Sequence, residues 1–240
     1  MTPRVEQLGF ALVKGLSWTL ADTVQVTHDG VVGDRHWSPV TPDLRCIKAT
    51  DFPEMVGLSA SAVDLPTEGD ALFDGESQTV RYYSRPVRAR VFGGRLADRI
   101  SEAAGQRLYL AQAPGPGSFL WSSPVSVLLR SELDGLPGDV GRYRANVVVD
   151  DRADLLRLAP GAQLSLGDVL LEVERELERC VIVNHDLVTG SQDASLLGDL
   201  RPGVLLGYGC RVLQSGRVSV GDAVERRSPR AHRSRAGTSN

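Results

Sequence analysis

A mostly β chain, closed as a barrel with a few short helices, is the fold class the sequence predicts. Apolar and polar side chains alternate with a period of two in runs spread along the chain. Clusters of Gly, Asp, Ser and Pro separate those runs, as turns require. Only one segment has a clear helical period. The 240 residues suffice for one large β-rich domain or two smaller ones.

In chain order, "TVQVTHDGVVGDRHWSPV" (23–40) alternates and contains an "HDG" turn, so it predicts paired strands. "QTVRYYSRPVRARVF" (78–92) continues the pattern. "LADRISEAAG" (96–105) predicts a helix, because Leu96, Ile100 and Ala103 share a face and Gly105 stops it. "APGPGS" (113–118) is the clearest linker-like break. "SPVSVLL" (123–129) and "ANVVVD" (145–150) predict apolar strands, with two helical turns between them at "SELDGL" (131–136). "AQLSLGDVLLEVERELERCVIV" (162–183) continues the strand pattern, with Leu171 to Val183 reading as one strand. "DASLLGDL" (193–200) predicts two more helical turns, and "GCRVLQSGRVSVGDAV" (209–224) further strands.

The formal net charge is −3. Residues 226–240 hold five arginines and no acid, so setting them aside leaves −8 on residues 1–225. An acidic body argues against a nucleic-acid-binding core. The terminal stretch has no apolar period and is expected to be a disordered basic tail. The first residues lack a signal-peptide layout, and no window reaches the roughly 18 apolar residues of a membrane span. Cys46, Cys180 and Cys210 are odd in number and widely spaced, which fits neither a disulfide framework nor a CxxC metal site. A reducing, cytoplasmic compartment with no membrane partner is the expectation.

Cys180 raises the sharpest question. On a flat strand it would end the row Glu172, Glu174, Glu176 and Glu178, an odd place for a thiol that is usually buried. Arg179 and the polar run "NHD" (184–186) point to a bend here that re-aims the side chain. A cysteine beside a cation is either a small packing residue or a nucleophile or soft-metal ligand. "DLVTG" (186–190) has the Asp and Gly ends of a turn. "GDRHW" (33–37) gathers Asp34, Arg35 and His36, and "GRYRANVVVD" (141–150) puts two arginines and an asparagine before an apolar strand. Arginine forks and amides suit a phosphate or a heterocycle edge, unless these segments are solvated loops. Lys14 of "LVKGLS" (12–17) is a weaker anion candidate. No GxGxxG, Walker loop, HExxH or GxSxG elbow occurs.

Taken in order, "GDRHW" (33–37), "SSPVSVL" (122–128), "RYRANVVVD" (142–150), "GDVLLEV" (167–173), "RCVIVNHDLVTG" (179–190) and "SGRVSVGDAVE" (215–225) resemble the MOSC family, named for the C-terminal domain of molybdenum cofactor sulfurase. The resemblance runs from about residue 8 to 225. It implies a MOSC N-terminal β-barrel-like module at 1–112, a MOSC β-barrel domain at 113–225, and a tail at 226–240. The branch it resembles most is that of the amidoxime-reducing proteins.

That resemblance implies a molybdenum–pterin cofactor whose metal takes one protein thiolate, here Cys180. It implies that Lys14, Arg35, Ser123, Arg144, Asn146 and Thr189 bind the cofactor, and that Asp186 serves the catalytic loop or relays a proton. The implied activity is reduction of small N-hydroxylated substrates, with electrons from an external donor protein because the cysteines are too few for an iron–sulfur cluster. A cofactor or sulfur carrier using a Cys180 persulfide, and a binding module without metal, are the other readings. The chain departs from the family pattern with Gly15 in place of a Ser, Ala145 in place of a Pro, and Thr50 and Asp51 in place of an Arg and a Gln.

Overall fold

In the computed structural model, residues 2–134, 136, 139–199 and 206–227 are described. The first strands are β1 (Arg4–Phe10), β2 (Thr19–Ala21), β3 (Thr23–Thr27), β4 (Gly30–Val31) and β5 (Trp37–Val40). After four short 3₁₀ turns come β6 (Gln78–Tyr82), β7 (Arg85–Phe92), helix α1 (Arg95–Ala104) and β8 (Tyr109–Gln112). Then follow β9 (Val125–Leu129), β10 (Val147–Asp150), β11 (Gln163–Leu166), β12 (Val169–Glu176), helix α2 (Leu196–Asp199), β13 (Tyr208–Gln214), β14 (Gly216–Ser219) and β15 (Val224–Arg227). The chain is mainly β, as the alternation predicts.

The largest sheet has eight strands in the order β15-β11-β12-β13-β9-β10-β1-β2. Its neighbours run antiparallel except β9 and β10, which are parallel. β14-β3-β4 form a second sheet and β5-β8-β7-β6 a third. The ladders do not close into the predicted barrel. The nearest approach is one bridge, Arg4 to Ala223, flanked by Val224 N donating to Pro3 O and Val5 N to Asp222 O. Early strands thus share sheets with late ones: β1 pairs with β10, and β3 with β14.

β1 was not legible as a strand because its register shifts between Val5 and Gln7. A bulge breaks the period of two, so the buried residues, Val5 and Leu8, fall three apart. Both join the core of the eight-stranded sheet with Val127, Val149, Leu164 and Leu171. Each such fully buried side chain contributes about 1.5–3 kcal/mol of apolar transfer. α1 matches its predicted span and buries Leu96, Ala97 and Ile100; the αL residue Gly105 caps it. "SELDGL" yields only a 3₁₀ turn at Arg130–Leu133, and α2 only four residues, with residue 200 outside the described ones.

Two expectations about chain direction are corrected. The strand predicted from Leu171 to Val183 ends at Glu176. A register shift between Val173 and Arg175 turns Glu174, Arg175 and Glu176 all toward solvent. The alternation of buried residues that would sustain a strand stops there. The basic tail also begins later than 226. Arg226 and Arg227 pair with Leu164 and Gln163 of β11, because backbone hydrogen bonds extend the ladder without needing apolar side chains. Residues 228–240 lie outside the described residues. Among the described residues no helix is long and apolar enough to cross a membrane.

Candidate functional site

Four loops carry the residues that converge. Lys14 follows β1, Arg35 follows β4, Arg144 precedes β10, and Cys180 follows β12. Arg35 and Arg144 both lie against the indole of Trp18, at 5.6 and 5.5 Å from the ring centroid. Lys14 Nζ sits 5.5 Å from the ring of Tyr82 and 5.6 Å from that of Tyr83. Cys180 is exposed and lies within electrostatic reach of Lys14, Tyr83, Arg144 and Arg179.

The backbone is bent on purpose at this place. Arg35 (φ 47°), Tyr83 (φ 54°) and Arg144 (φ 51°) are left-handed without being glycine. Such residues cost about 1–3 kcal/mol and cluster where function over-determines the backbone. Tyr83 occupies a two-residue hairpin turn between β6 and β7, where Gly or Asn is usual. Its ring stacks at 4.3 Å on Trp121, a large apolar side chain that is 71% exposed.

Charge is unbalanced here. Asp34 is the acid bonded into the cluster; it accepts from Ala11 N (3.0 Å), Arg35 Nη1 (3.1 Å) and Asn146 Nδ2 (3.0 Å). Against it stand Lys14, Arg35 and Arg144. Burial, then Cys46's opposing pull and repulsion from Arg35 and Arg144, leave Lys14 lowered to about 8. Burial first, then Arg35, lowers Arg144 to about 10. Arg144 Nη2 donates to Leu16 O at 2.6 Å, but its buried Nη1 has no partner in the protein. A buried cation with an unpaired N–H and too little countercharge suits an added anion.

Lys14 gives a pH-dependent prediction with a defined sign. Its unfolded value is near 10.5 and its folded value about 8. Between those limits the unfolded chain binds more protons, so this residue's contribution to stability rises with pH across about 8 to 10.5. Below 8 its cost is constant. Urea unfolding at several pH values should show this rise in wild type and lose it in Lys14→Met; identical profiles would exclude it.

The other expected site residues sit differently. Asn146 is buried and fully engaged: its Oδ1 accepts from Ser126 N and Oγ, and its Nδ2 donates to Gly9 O and Asp34 Oδ2. It reaches the cationic cluster through Asp34 and so positions Arg35. Ser123 is buried beside Gly209 and Leu177, its hydroxyl without a partner in the protein. Among the described residues no hydrogen bond joins it to Cys180 or Arg144. Asp186 Oδ1 accepts from Val188 N, Thr189 N and Thr189 Oγ1, which folds the turn and holds its carboxyl below the usual range. A carboxylate held ionised by three donors is a poor proton relay, and Thr189's hydroxyl is spent on it.

That turn is docked tightly. Gly190, at φ 71°, lies so close to Glu54 that an added Cβ would come within 2.6 Å of its backbone. Gly190→Ala should therefore lower stability by about 2–4 kcal/mol, combining left-handed strain and overpacking. A loss below about 0.5 kcal/mol in urea unfolding would contradict this docking.

Three contributors were not picked out from the sequence as site residues. Arg179 donates Nε to Leu206 O and Nη1 to Tyr143 O, both at 2.8 Å, and so ties the cysteine to the segment carrying Arg144. Trp18 offers the face shared by both arginines. Cys46 is in Lys14's field and its thiol is pushed up by burial, because the Val40–Cys46 bridge tucks the loop in. The "RC" pair was a signal for Arg179; nothing local marks Trp18 or Cys46.

A mainly β scaffold with an exposed thiol beside a cationic recess is the class that fold and site define. Residues 121–225, a little under half of the chain, match the family model of the MOSC domain. The chain is 24% identical to the molybdenum cofactor sulfurase of Drosophila grimshawi over 94% of its own length, and spans about a third (32%) of that relative. Among solved structures, the YUAD protein of Bacillus subtilis is 16% identical at a TM-score of 0.46, covering 93% of this chain and 94% of that one. YiiM of Geobacillus stearothermophilus is 19% identical at a TM-score of 0.34, covering 44% and 55%.

Proposed function

We propose that the chain binds a molybdenum–pterin cofactor and reduces small N-hydroxylated substrates with electrons from a separate protein. The observation that carries this reading is the convergence of Lys14, Arg35 and Arg144 near the exposed Cys180, with Arg144 Nη1 buried and unpaired. The residues fit the group: arginine forks and an ammonium match its phosphate, and an accessible thiol is a soft donor for its metal. Bound there, the cofactor would supply an oxygen-accepting metal that cycles by two electrons.

The chain's own residues do the rest. Arg144 and Arg35 orient the anionic end against Trp18. Lys14, protonated at neutral pH, adds a third positive charge at Nζ. Asn146 and Asp34 hold Arg35, and Arg179 holds the backbone before Cys180. Tyr83, in the thiol's field, and Trp121 packed on its ring form an aromatic rim at this edge of the site. Removal of oxygen from an N-hydroxylated substrate takes two electrons and two protons and releases water. Three widely spaced cysteines are too few to ligate an iron–sulfur cluster, so in this reading the electrons come from a separate donor protein.

A second reading has its own support. The matched relative is a sulfurase, and an exposed cysteine beside cations suits a persulfide. Metal analysis with pterin fluorescence, on protein from a molybdenum-competent host, tests the first reading. Stoichiometric molybdenum and pterin are expected; sulfide release on mild reduction without metal would favour the carrier, and neither would leave a metal-free binding module.

A further inference from the structure

A second cationic recess lies on the other face of the β6–β7 hairpin. It is a cleft of about 410 Å³ lined by Arg45, Thr79, Arg81, Ser84 and Arg85, with Asp43 as its acid. That volume is within the range of small-molecule sites. Residues 1–225 sum to −8, so three arginines against one carboxylate run counter to the body's average charge.

The ladder explains how they gather. Arg45 and Arg81 face each other across a parallel bridge, and Thr79 and Arg81, two apart on β6, share the exposed face. Asp43 is already committed, accepting from Arg45 Nε and Thr41 Oγ1. Arg85 is fixed in direction: its Nη2 donates to Ser118 O at 2.9 Å and Leu120 O at 2.7 Å, and its guanidinium lies 4.8 Å from the Tyr82 ring centroid. Arg81's guanidinium has no hydrogen-bond or ion-pair partner among the described residues. Arg81, unpaired, beside Arg45 and the Thr79 and Ser84 hydroxyls forms an anion receptor, while the Arg85 guanidinium is held on the Tyr82 side of the hairpin.

We propose that this cleft binds a phosphorylated small molecule of nucleotide size or smaller, at a site separate from the Lys14–Arg35–Arg144 recess. The hairpin stands between the two. Its inner residue Tyr82 faces Lys14, and its outer residues Thr79 and Arg81 line the cleft. The phosphate takes the free N–H groups of Arg81 and Arg45, and the Ser84 and Thr79 hydroxyls supply the remaining donors.

Calorimetric titration of the full chain with inorganic pyrophosphate and with AMP, using adenosine as the uncharged control, tests the assignment. Saturable binding of the phosphorylated probes is expected, weakening with added salt. Arg81→Ala and Arg45→Ala should each weaken it by about tenfold, one charge-assisted contact apiece, with unchanged melting temperatures. Arg81→Lys, which keeps charge but loses the fork, should fall between. Binding in the cleft should survive Arg144→Ala. Absence of saturable binding at millimolar probe, indifference to both Arg81→Ala and Arg45→Ala, or loss in Arg144→Ala alone would overturn the proposal; the last would place the anion in the other recess.

Discussion

Cys180→Ser is expected to abolish reduction of an N-hydroxylated test substrate while leaving the melting temperature unchanged. Cys180 is exposed, so exchanging sulfur for oxygen removes little packing and leaves no cavity. The chemistry changes far more: a hydroxyl is harder and much less acidic than a thiol, and is a poor soft-metal ligand. Single-turnover reduction with chemically supplied electrons measures the effect without a donor protein. The other two cysteines provide contrast. Cys210 is fully buried in the main core and its thiol is pushed up to about 12 by desolvation, so Cys210→Ala should cost stability rather than chemistry. Cys46→Ser should keep most turnover and change its pH profile modestly, through Lys14. Iodoacetamide should label Cys180 first, Cys46 more slowly and Cys210 only on unfolding. Wild-type-like turnover in Cys180→Ser would remove the ligand role and, with it, the persulfide reading.

Arg144→Ala should reduce cofactor retention by roughly tenfold to a hundredfold, the range for losing a hydrogen bond to a charged group. The unpaired Nη1 is the contact at stake, since Nη2 is already bonded to Leu16 O. That second bond gives the variant a separate structural cost of about 1–3 kcal/mol, because it leaves the carbonyl without its donor. Pterin fluorescence per mole of protein after dialysis reads retention, and urea unfolding reads the structural part. Asn146→Asp is the companion variant. It puts a second carboxylate against Asp34 Oδ2 and should loosen Arg35 without touching the anion directly. Full retention in Arg144→Ala would show that the recess is not the anion's site.

Much of the class was legible because it depends on local periodicity. The alternation in 78–92 became β6 and β7, "HDG" became the turn between β3 and β4, and "LADRISEAAG" became α1. Where the period was broken, the reading failed. β1 is hidden by its bulge between Val5 and Gln7, and β8, four residues long, is too short to leave a pattern. The long strand read through Glu176 fails for a related reason: acidic residues still alternate there, but nothing apolar on either parity is buried between Val173 and Ile182.

The candidate residues separate along the same line. That Lys14, Arg35, Arg144 and Cys180 carry chemistry was readable from their motifs, because residue type and short spacing are properties of the chain. Their meeting was not, since it depends on loops up to 166 positions apart being carried to one place by the pairing of β1 with β10 and of β12 with β13. Nor was the division of labour. Asn146 and Asp186 have side chains able to bind a ligand, yet the folded chain commits their donors and acceptors to Asp34, Gly9, Ser126 and the 188–189 turn. Arg144 keeps one N–H unspent. The sequence by itself determined a mainly β protein and which side chains were available to a site. Only the tertiary structure decided which of them remain unsatisfied, because a buried polar group must be paired and the available partners are chosen by how strands far apart in the chain come to lie together.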